Sequence, residues 1–304
     1  FVARLKGSNK PIALKHIMIT TKPHRDEVER ELTFFSSRSD SPFVMQNLGA
    51  FWESEENAIV LPMEWMPYNL KDVAEFWGNG GIDEPLLKAI SYQVLRGMQY
   101  LHDTKRVIHR DIKPSNILVR DDGYVKIGDF GVSKLVQTLD VSTSYIGTMY
   151  YMAPERLEQG SYSFSSDVWS LGLTLISVVR GGGSPWAPPA EVNVFQLLQK
   201  ISGNSIPVLS CMGEGATTFS DDARDFVARC LERSPDSRPS CKELLSHPFF
   251  DGVTEASAVE TVRTVVELMT RMIKSSSGKA SQEAKTSDEV AALMDAKMDR
   301  LDHL

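Results

Sequence analysis

Four short motifs in a fixed order constrain this chain more than any other feature. His109-Arg110-Asp111-Ile112-Lys113-Pro114-Ser115-Asn116 comes first, and twelve residues after Asn116 stands Gly128-Asp129-Phe130-Gly131. Ala153-Pro154-Glu155 and Asp167-Val168-Trp169-Ser170-Leu171-Gly172 follow. Each has a bland reading by itself, since an isolated Asp111 or Asp129 is usually a turn or cap residue. Four in order, on segments that read as loops and element ends, make coincidence a poor account.

The pattern around them changes texture once. Phe1 to Leu5, a turn at Lys6-Gly7-Ser8-Asn9-Lys10 and Ile12 to Ile19 read as a hairpin. Asp26 to Ser37 has Val28, Leu32 and Phe35 at helical spacing, and Val44 to Trp52 and Ala58 to Met63 alternate as two strands. After Pro67 helices dominate: Pro85 to His102, the nearly all-apolar Val168 to Val179, Asp221 to Glu232 and Cys241 to Ser246. Beyond Asp251 an amphipathic stretch from Val259 to Ile273, a polar run and a possible last helix from Glu289 to Leu301 read as an appendage. The boundary between strand-rich and helix-rich parts falls near residues 64 to 70.

Composition narrows the classes. Acidic side chains outnumber basic ones by 40 to 33, which argues against broad nucleic-acid binding. No apolar run is long enough to span a bilayer. Cys211, Cys230 and Cys241 lack metal-ligand spacing and are odd in number, so a reducing compartment fits better than a disulfide framework. The start at Phe1 does not read as a secretory leader.

The motifs resemble the eukaryotic protein kinase catalytic domain over nearly all of residues 1–250. The resemblance implies an α+β, two-lobed protein-kinase-like fold: a small, incomplete β-rich N-lobe and hinge over 1–66, a large, mainly helical C-lobe over 67–250 and an extension over 251–304. It also implies ATP and Mg2+. Phosphoryl transfer asks a protein mainly for positioning and charge neutralisation. Asp111 would orient the acceptor hydroxyl and take its proton, and Lys113 would stabilise the transferring group. Asn116 and Asp129 are oxygen ligands of the kind Mg2+ takes. Lys15, in Ala13-Leu14-Lys15, would hold the α- and β-phosphates, paired with Glu31. Glu27 and Glu29 are rival partners; Glu31 is preferred because Phe35 would then face the core. An apolar stack of Phe35, Phe51, Phe130 and His109 would link the lobes. Met63, Glu64 and Met66 would form the adenine-binding hinge, with Val2, Ala13 and Leu118 around the ring, although each is equally plausible as plain core. A buried ion pair would join Glu155 to Arg238.

Gly147-Thr148-Met149-Tyr150-Tyr151-Met152-Ala153-Pro154-Glu155-Arg156-Leu157, Asp129-Phe130-Gly131-Val132-Ser133, Arg30-Glu31-Leu32 and Ser41-Pro42-Phe43-Val44 are similar to MAP kinase kinases. That implies phosphorylation of Ser/Thr and Tyr in a MAP kinase activation loop, an upstream MAP kinase kinase kinase, a monomer, and a cytoplasmic or nuclear location. Thr138 and Ser144, at the family's x5 spacing, would be the activating phosphorylation sites, with Ser142 and Thr143 as rivals and Arg110 as receiver. A catalytically weak kinase-fold scaffold and a plain Ser/Thr kinase are the alternatives.

One departure stands out. Val2 sits where the family's valine follows the third glycine of the phosphate loop, so that loop is not in the sequence. Truncation and degeneration both account for this; truncation is preferred because the other catalytic residues are present. The 304-residue chain is therefore expected to bind ATP weakly, and addition of the upstream strand and loop to restore binding.

Overall fold

The computed structural model describes residues 1–5, 7–18, 39–78, 82–129, 147–157, 162–186, 194–203, 206–210 and 218–277. The helix expected over Asp26 to Ser37 lies outside them. The chain divides into two compact units. The first takes its described residues from within 1–18, 45–66 and the end of the last helix from Leu268; the second comprises Asp40–Val44 and Pro67–Glu267.

The first unit is a four-stranded antiparallel sheet of order β1-β2-β4-β3. Its strands are β1 (Val2–Arg4), β2 (Pro11–Met18), β3 (Phe51–Glu53) and β4 (Ala58–Glu64). The tips use residues that accept left-handed backbone, Asn9 at φ 54° and Asn57 at φ 49°. β4 begins with the run Ala58-Ile59-Val60-Leu61, all buried, and pairs with β2 from Met18↔Ala58 to Ile12↔Glu64. That register sets Lys15 opposite Leu61 and Ala13 opposite Met63.

The strand expected over Val44 to Trp52 is corrected. Only Phe51–Glu53 is a strand; Val44 makes an isolated parallel bridge to Ile127, and Asn47 an antiparallel one to Met63. The cause is local and tertiary together. Gly49 takes φ 122°, which breaks the extended run, and Val44 is packed in the second unit while Asn47 is packed in the first.

The second unit holds the helices α1 (Leu70–Trp77), α2 (Glu84–Gln99), α3 (Pro154–Leu157), α4 (Phe164–Val179), α5 (Val194–Ser202), α6 (Asp221–Cys230) and α7 (Cys241–Leu244). The long α8 (Glu255–Ser277) starts in it. A three-stranded sheet of order β5-β6-β7 joins β5 (Tyr68–Asn69), β6 (Ile117–Val119) and β7 (Val125–Ile127). The fold is thus α+β, a small antiparallel sheet and a larger, mainly helical unit. Asn69 and Asp72 start α1 with reciprocal 3.0 Å side chain to backbone bonds, a capping box. Asp83 caps α2 through Leu86 N, and Pro85 fills its first turn. α4 is buried almost all round, as its composition requires. At Gly172 a Cβ would sit 2.8 Å from Leu231 side-chain atoms, so glycine lets the chain after α6 approach.

Arg238 fastens this unit from its far end. Its guanidinium reaches Glu155 Oε1 at 2.9 Å and Oε2 at 3.2 Å, and donates to the carbonyls of Glu232, Ser165 and Arg233. Ser166 Oγ also donates to Glu155 Oε1, at 2.9 Å. Burial pushes the Glu155 carboxyl up, but the Arg238 guanidinium, helped by Ser166 and a backbone bond, holds the group below its ordinary 4.5. Arg238→Ala would strand the buried carboxylate and is expected to cost roughly 3–5 kcal/mol, seen as a clearly lower Tm at pH 7. Because the folded pKa of Glu155 is depressed, its charged-form stabilisation is present above about 4.5 and lost as pH falls through the lower folded value. The Tm gap between wild type and variant should therefore narrow on acidification; an unchanged Tm at pH 7 would refute the pairing.

Candidate active site

The 109–116 loop is held from beneath by one carboxylate. Asp167, buried in the first turn of α4, accepts from His109 N at 2.7 Å and His102 Nε2 at 2.8 Å on Oδ2, and from Arg110 N at 2.8 Å on Oδ1. His102 belongs to a π-helical turn, Tyr100–Thr104, that ends α2. Its Nδ1 then accepts from the Cys241 thiol at 3.5 Å. Arg110 takes φ 72°, an unfavourable backbone for a residue with a side chain, and the two bonds from Asp167 to successive backbone donors fix that conformation.

On this loop the expected catalytic side chains come together. Asp111 Oδ2 lies 2.9 Å from Lys113 Nζ and accepts from Asn116 Nδ2 at 2.8 Å. Asn116 Nδ2 also donates to Asp111 O at 2.8 Å. Lys113 Nζ donates to Thr148 Oγ1 at 2.9 Å, which ties the loop to the chain ahead of Ala153-Pro154-Glu155. The other carboxylate oxygen, Asp111 Oδ1, is buried and has no hydrogen-bond partner among the described residues.

Asp129 is delivered from the opposite side. His109 Nε2 donates to Gly128 O at 2.7 Å, and Gly128 N donates to Asn116 O at 2.9 Å. Asp129 itself takes φ 56°. Gly128, which precedes Asp129, is thus bonded to both ends of the 109–116 loop. The donor types fit Mg2+: the amide of Asn116, whose nitrogen is already committed to Asp111, and the carboxylate of Asp129. Among the described residues no group of three or more His, Cys, Asp or Glu could hold a metal ion. A hard cation here would therefore draw its remaining ligands from phosphate or water.

The other expected positions divide as follows. In the first unit Lys15 is half-buried on β2, Val2 faces Ala13 across β1 and β2, and Met63 and Met66 are buried. Glu64 Oε1 accepts from Gln46 N at 2.8 Å, so its side chain braces the segment ahead of β3. In the second unit Leu118 lies on β6, against Gly128. Phe51 stands on β3 and His109 is buried in the second unit. Glu31, Phe35, Phe130, Thr138 and Ser144, with the rivals Ser142 and Thr143, lie outside the described residues.

Comparison with known proteins follows the same pattern. The protein kinase domain family matches residues 1–250. The chain is 36% identical over 264 residues to mitogen-activated protein kinase kinase 5 of Leishmania mexicana, covering 83% of this chain and 47% of that one. It is 38% identical over 257 residues to the MAP kinase kinase MKK1/SSP32 of Saccharomyces cerevisiae, covering 82% and 50%. With mitogen-activated protein kinase kinase 1c of Physcomitrium patens it shares 35% identity over 261 residues, covering 84% and 73%. The chain spans about half the length of the Leishmania and yeast relatives. It belongs to the protein kinases and, among them, to the MAP kinase kinase family.

Two contributors carried no role in the sequence reading. Asp167 was visible as an acid opening a nearly all-apolar helix, a position that calls for a buried partner. Thr148 gave no signal, because only folding brings it to Lys113. Asp167→Asn keeps the shape but turns one acceptor into a donor facing a donor. It is expected to cost about 1–3 kcal/mol and to speed hydrogen exchange at the His109 and Arg110 amides. Native-level protection of both amides in the variant would show that Asp167 does not hold the loop.

Proposed function

We propose that the protein transfers the γ-phosphate of ATP to Ser/Thr and Tyr hydroxyls in a MAP kinase activation loop. The observation that carries this reading is the asymmetry of Asp111. Oδ2 is met by Lys113 and Asn116, while Oδ1 is buried and unsatisfied among the described residues. A lone buried acceptor is costly unless a donor arrives, and the acceptor hydroxyl is such a donor. Asp111 Oδ1 orients that hydroxyl and receives its proton as the oxygen attacks phosphorus. Lys113, anchored by Thr148, places positive charge beside the transferring group. Bound Mg2+ supplies charge neutralisation at the phosphates, and Asn116 and Asp129 are the residues that would hold it. Lys15 with Glu31 would hold the α- and β-phosphates. The backbone at Glu64 and Met66, with Met63, Val2, Ala13 and Leu118, would bind the adenine.

The partners in this proposal are a MAP kinase substrate and an upstream MAP kinase kinase kinase, the names of the relatives being its support. Activation by phosphate at Ser144 and Thr138, with Arg110 as receiver, rests on their spacing in the sequence. The cytoplasm, with the nucleus as a second place, is the location this cascade role implies.

The test is phosphoryl transfer by the full-length protein to MAP kinase loop peptides, with Asp111→Asn as control. Label on both Thr and Tyr, reduced about 10²–10⁴-fold in the control, is the expected result. Label on Ser or Thr alone would place the protein with plain Ser/Thr kinases. Transfer equal in wild type and control, or none in either, would overturn the reading.

A further inference from the structure

The two proposed cation ligands sit at the open end of one hairpin. Asn116 immediately precedes β6, and Asp129 lies two residues after β7. The strands are three residues each and paired Ile117↔Ile127, Leu118↔Lys126 and Val119↔Val125. Arg120 N donates to Tyr124 O at 2.9 Å and closes the turn. At about 3.3 Å per residue, the turn lies roughly 10 Å from the ligands, so a shift at the turn reaches them through a short, stiff ladder.

That turn is gripped by a helix outside the matched kinase region. Gln93, buried on α2, satisfies three groups at once. Its Nε2 donates to Gly123 O at 3.1 Å and to Ala258 O of α8 at 3.3 Å, and its Oε1 accepts from Val125 N at 2.9 Å. Gly123 stands at φ 91°, and a Cβ there would fall 2.1 Å from Val259 O and 2.8 Å from Arg263 Cβ. Only glycine lets the turn press against α8 in this way. Ala258, Val262 and Val266 bury the stripe with which α8 begins. The kinase match ends at residue 250, so the grip comes from the extension.

We infer that the first turns of α8, coupled through Gln93 to the β6–β7 turn, set the position of Asn116 and Asp129. Gln93 is a positioning residue and touches neither nucleotide nor acceptor. The inference rests on the proposed Mg2+-ATP chemistry for its effect on activity, but not for its effect on the hairpin.

Two variants of the full-length protein test it. Gln93→Met keeps volume and removes all three bonds; Val262→Ala loosens the buried stripe of α8 and leaves Gln93 and its three bonds in place. Hydrogen exchange at Val125 to Gly128 should quicken about tenfold or more in each, while α4 amides keep their protection. The Mg2+ concentration for half-maximal transfer at fixed ATP should rise about tenfold, the low end for loss of a support behind a metal ligand, with the KM for peptide unchanged. If Gln93→Met fails to fold, Val262→Ala decides. A folded variant with wild-type exchange at Val125 to Gly128 would overturn the inference. So would quickened exchange with an unmoved Mg2+ requirement. A wild type that transfers nothing would sink the kinase reading instead, and the exchange comparison would still decide the grip.

Discussion

A carboxylate buried in a helix is costly unless donors converge on it, and Asp167 gathers its donors only when the 109–111 backbone adopts one conformation. Two successive peptide N–H groups and His102 converge on it. That convergence requires left-handed backbone at Arg110, which an arginine would not choose. The strain is local and the bonds that offset it are charge-assisted, so the loop has one arrangement and not several. Asp111, Lys113 and Asn116 inherit their positions from it. His109 extends the same control to Gly128, because its imidazole accepts from Asp111 N with one nitrogen and donates to Gly128 O with the other. One buried charge therefore organises both halves of the site.

Legibility in the sequence followed the range of the interactions. Asp111, Lys113 and Asn116 fall within six residues of one another, so their meeting could be read from spacing. Asp167 and His109 are separated by 58 positions, and Lys113 and Thr148 by 35; no local pattern encodes such meetings. Among elements, α2 was legible because sixteen residues carry a helical period, and α4 because a long, nearly all-apolar run reads as a buried helix. α1 was not, since it is only eight residues long, although Asn69 with Asp72 is a start signal that could have revealed it. Val44 to Trp52 misled because alternation reports which residues are covered, not which body covers them.

Gln93 shows how a polar residue on an apolar face should be weighed. Leu86, Leu87, Ile90, Val94 and Met98 mark the buried side of α2, and Gln93 lies among them. A solvated side chain would not be placed there, and a lone buried amide would lose stability. The only economical solution is a site where two carbonyls and one N–H present themselves together. Such a set arises where secondary structure ends, as at Gly123 and Val125 in the hairpin, with Ala258 of α8 supplying the other carbonyl. A polar residue on the stripe of a long helix is thus a pointer to an irregular neighbour, and here that neighbour leads to the ligand-bearing strands.

The same reasoning separates what stabilises the second unit from what makes it selective for one conformation. Apolar burial around α4 supplies the larger favourable term, but it tolerates small shifts because it is non-directional. Three polar centres remove that tolerance: Asp167 under the loop, Arg238 with Glu155 beyond it, and Gln93 behind the hairpin. Each joins segments distant in sequence, and each gathers at least three hydrogen bonds on one side chain. A displaced loop, α3 segment or hairpin would leave a buried group unsatisfied at one of the three, at a cost of about 1–3 kcal/mol apiece. Directional bonds at these centres, more than the surrounding apolar mass, keep Asp111, Asn116 and Asp129 in a single geometry.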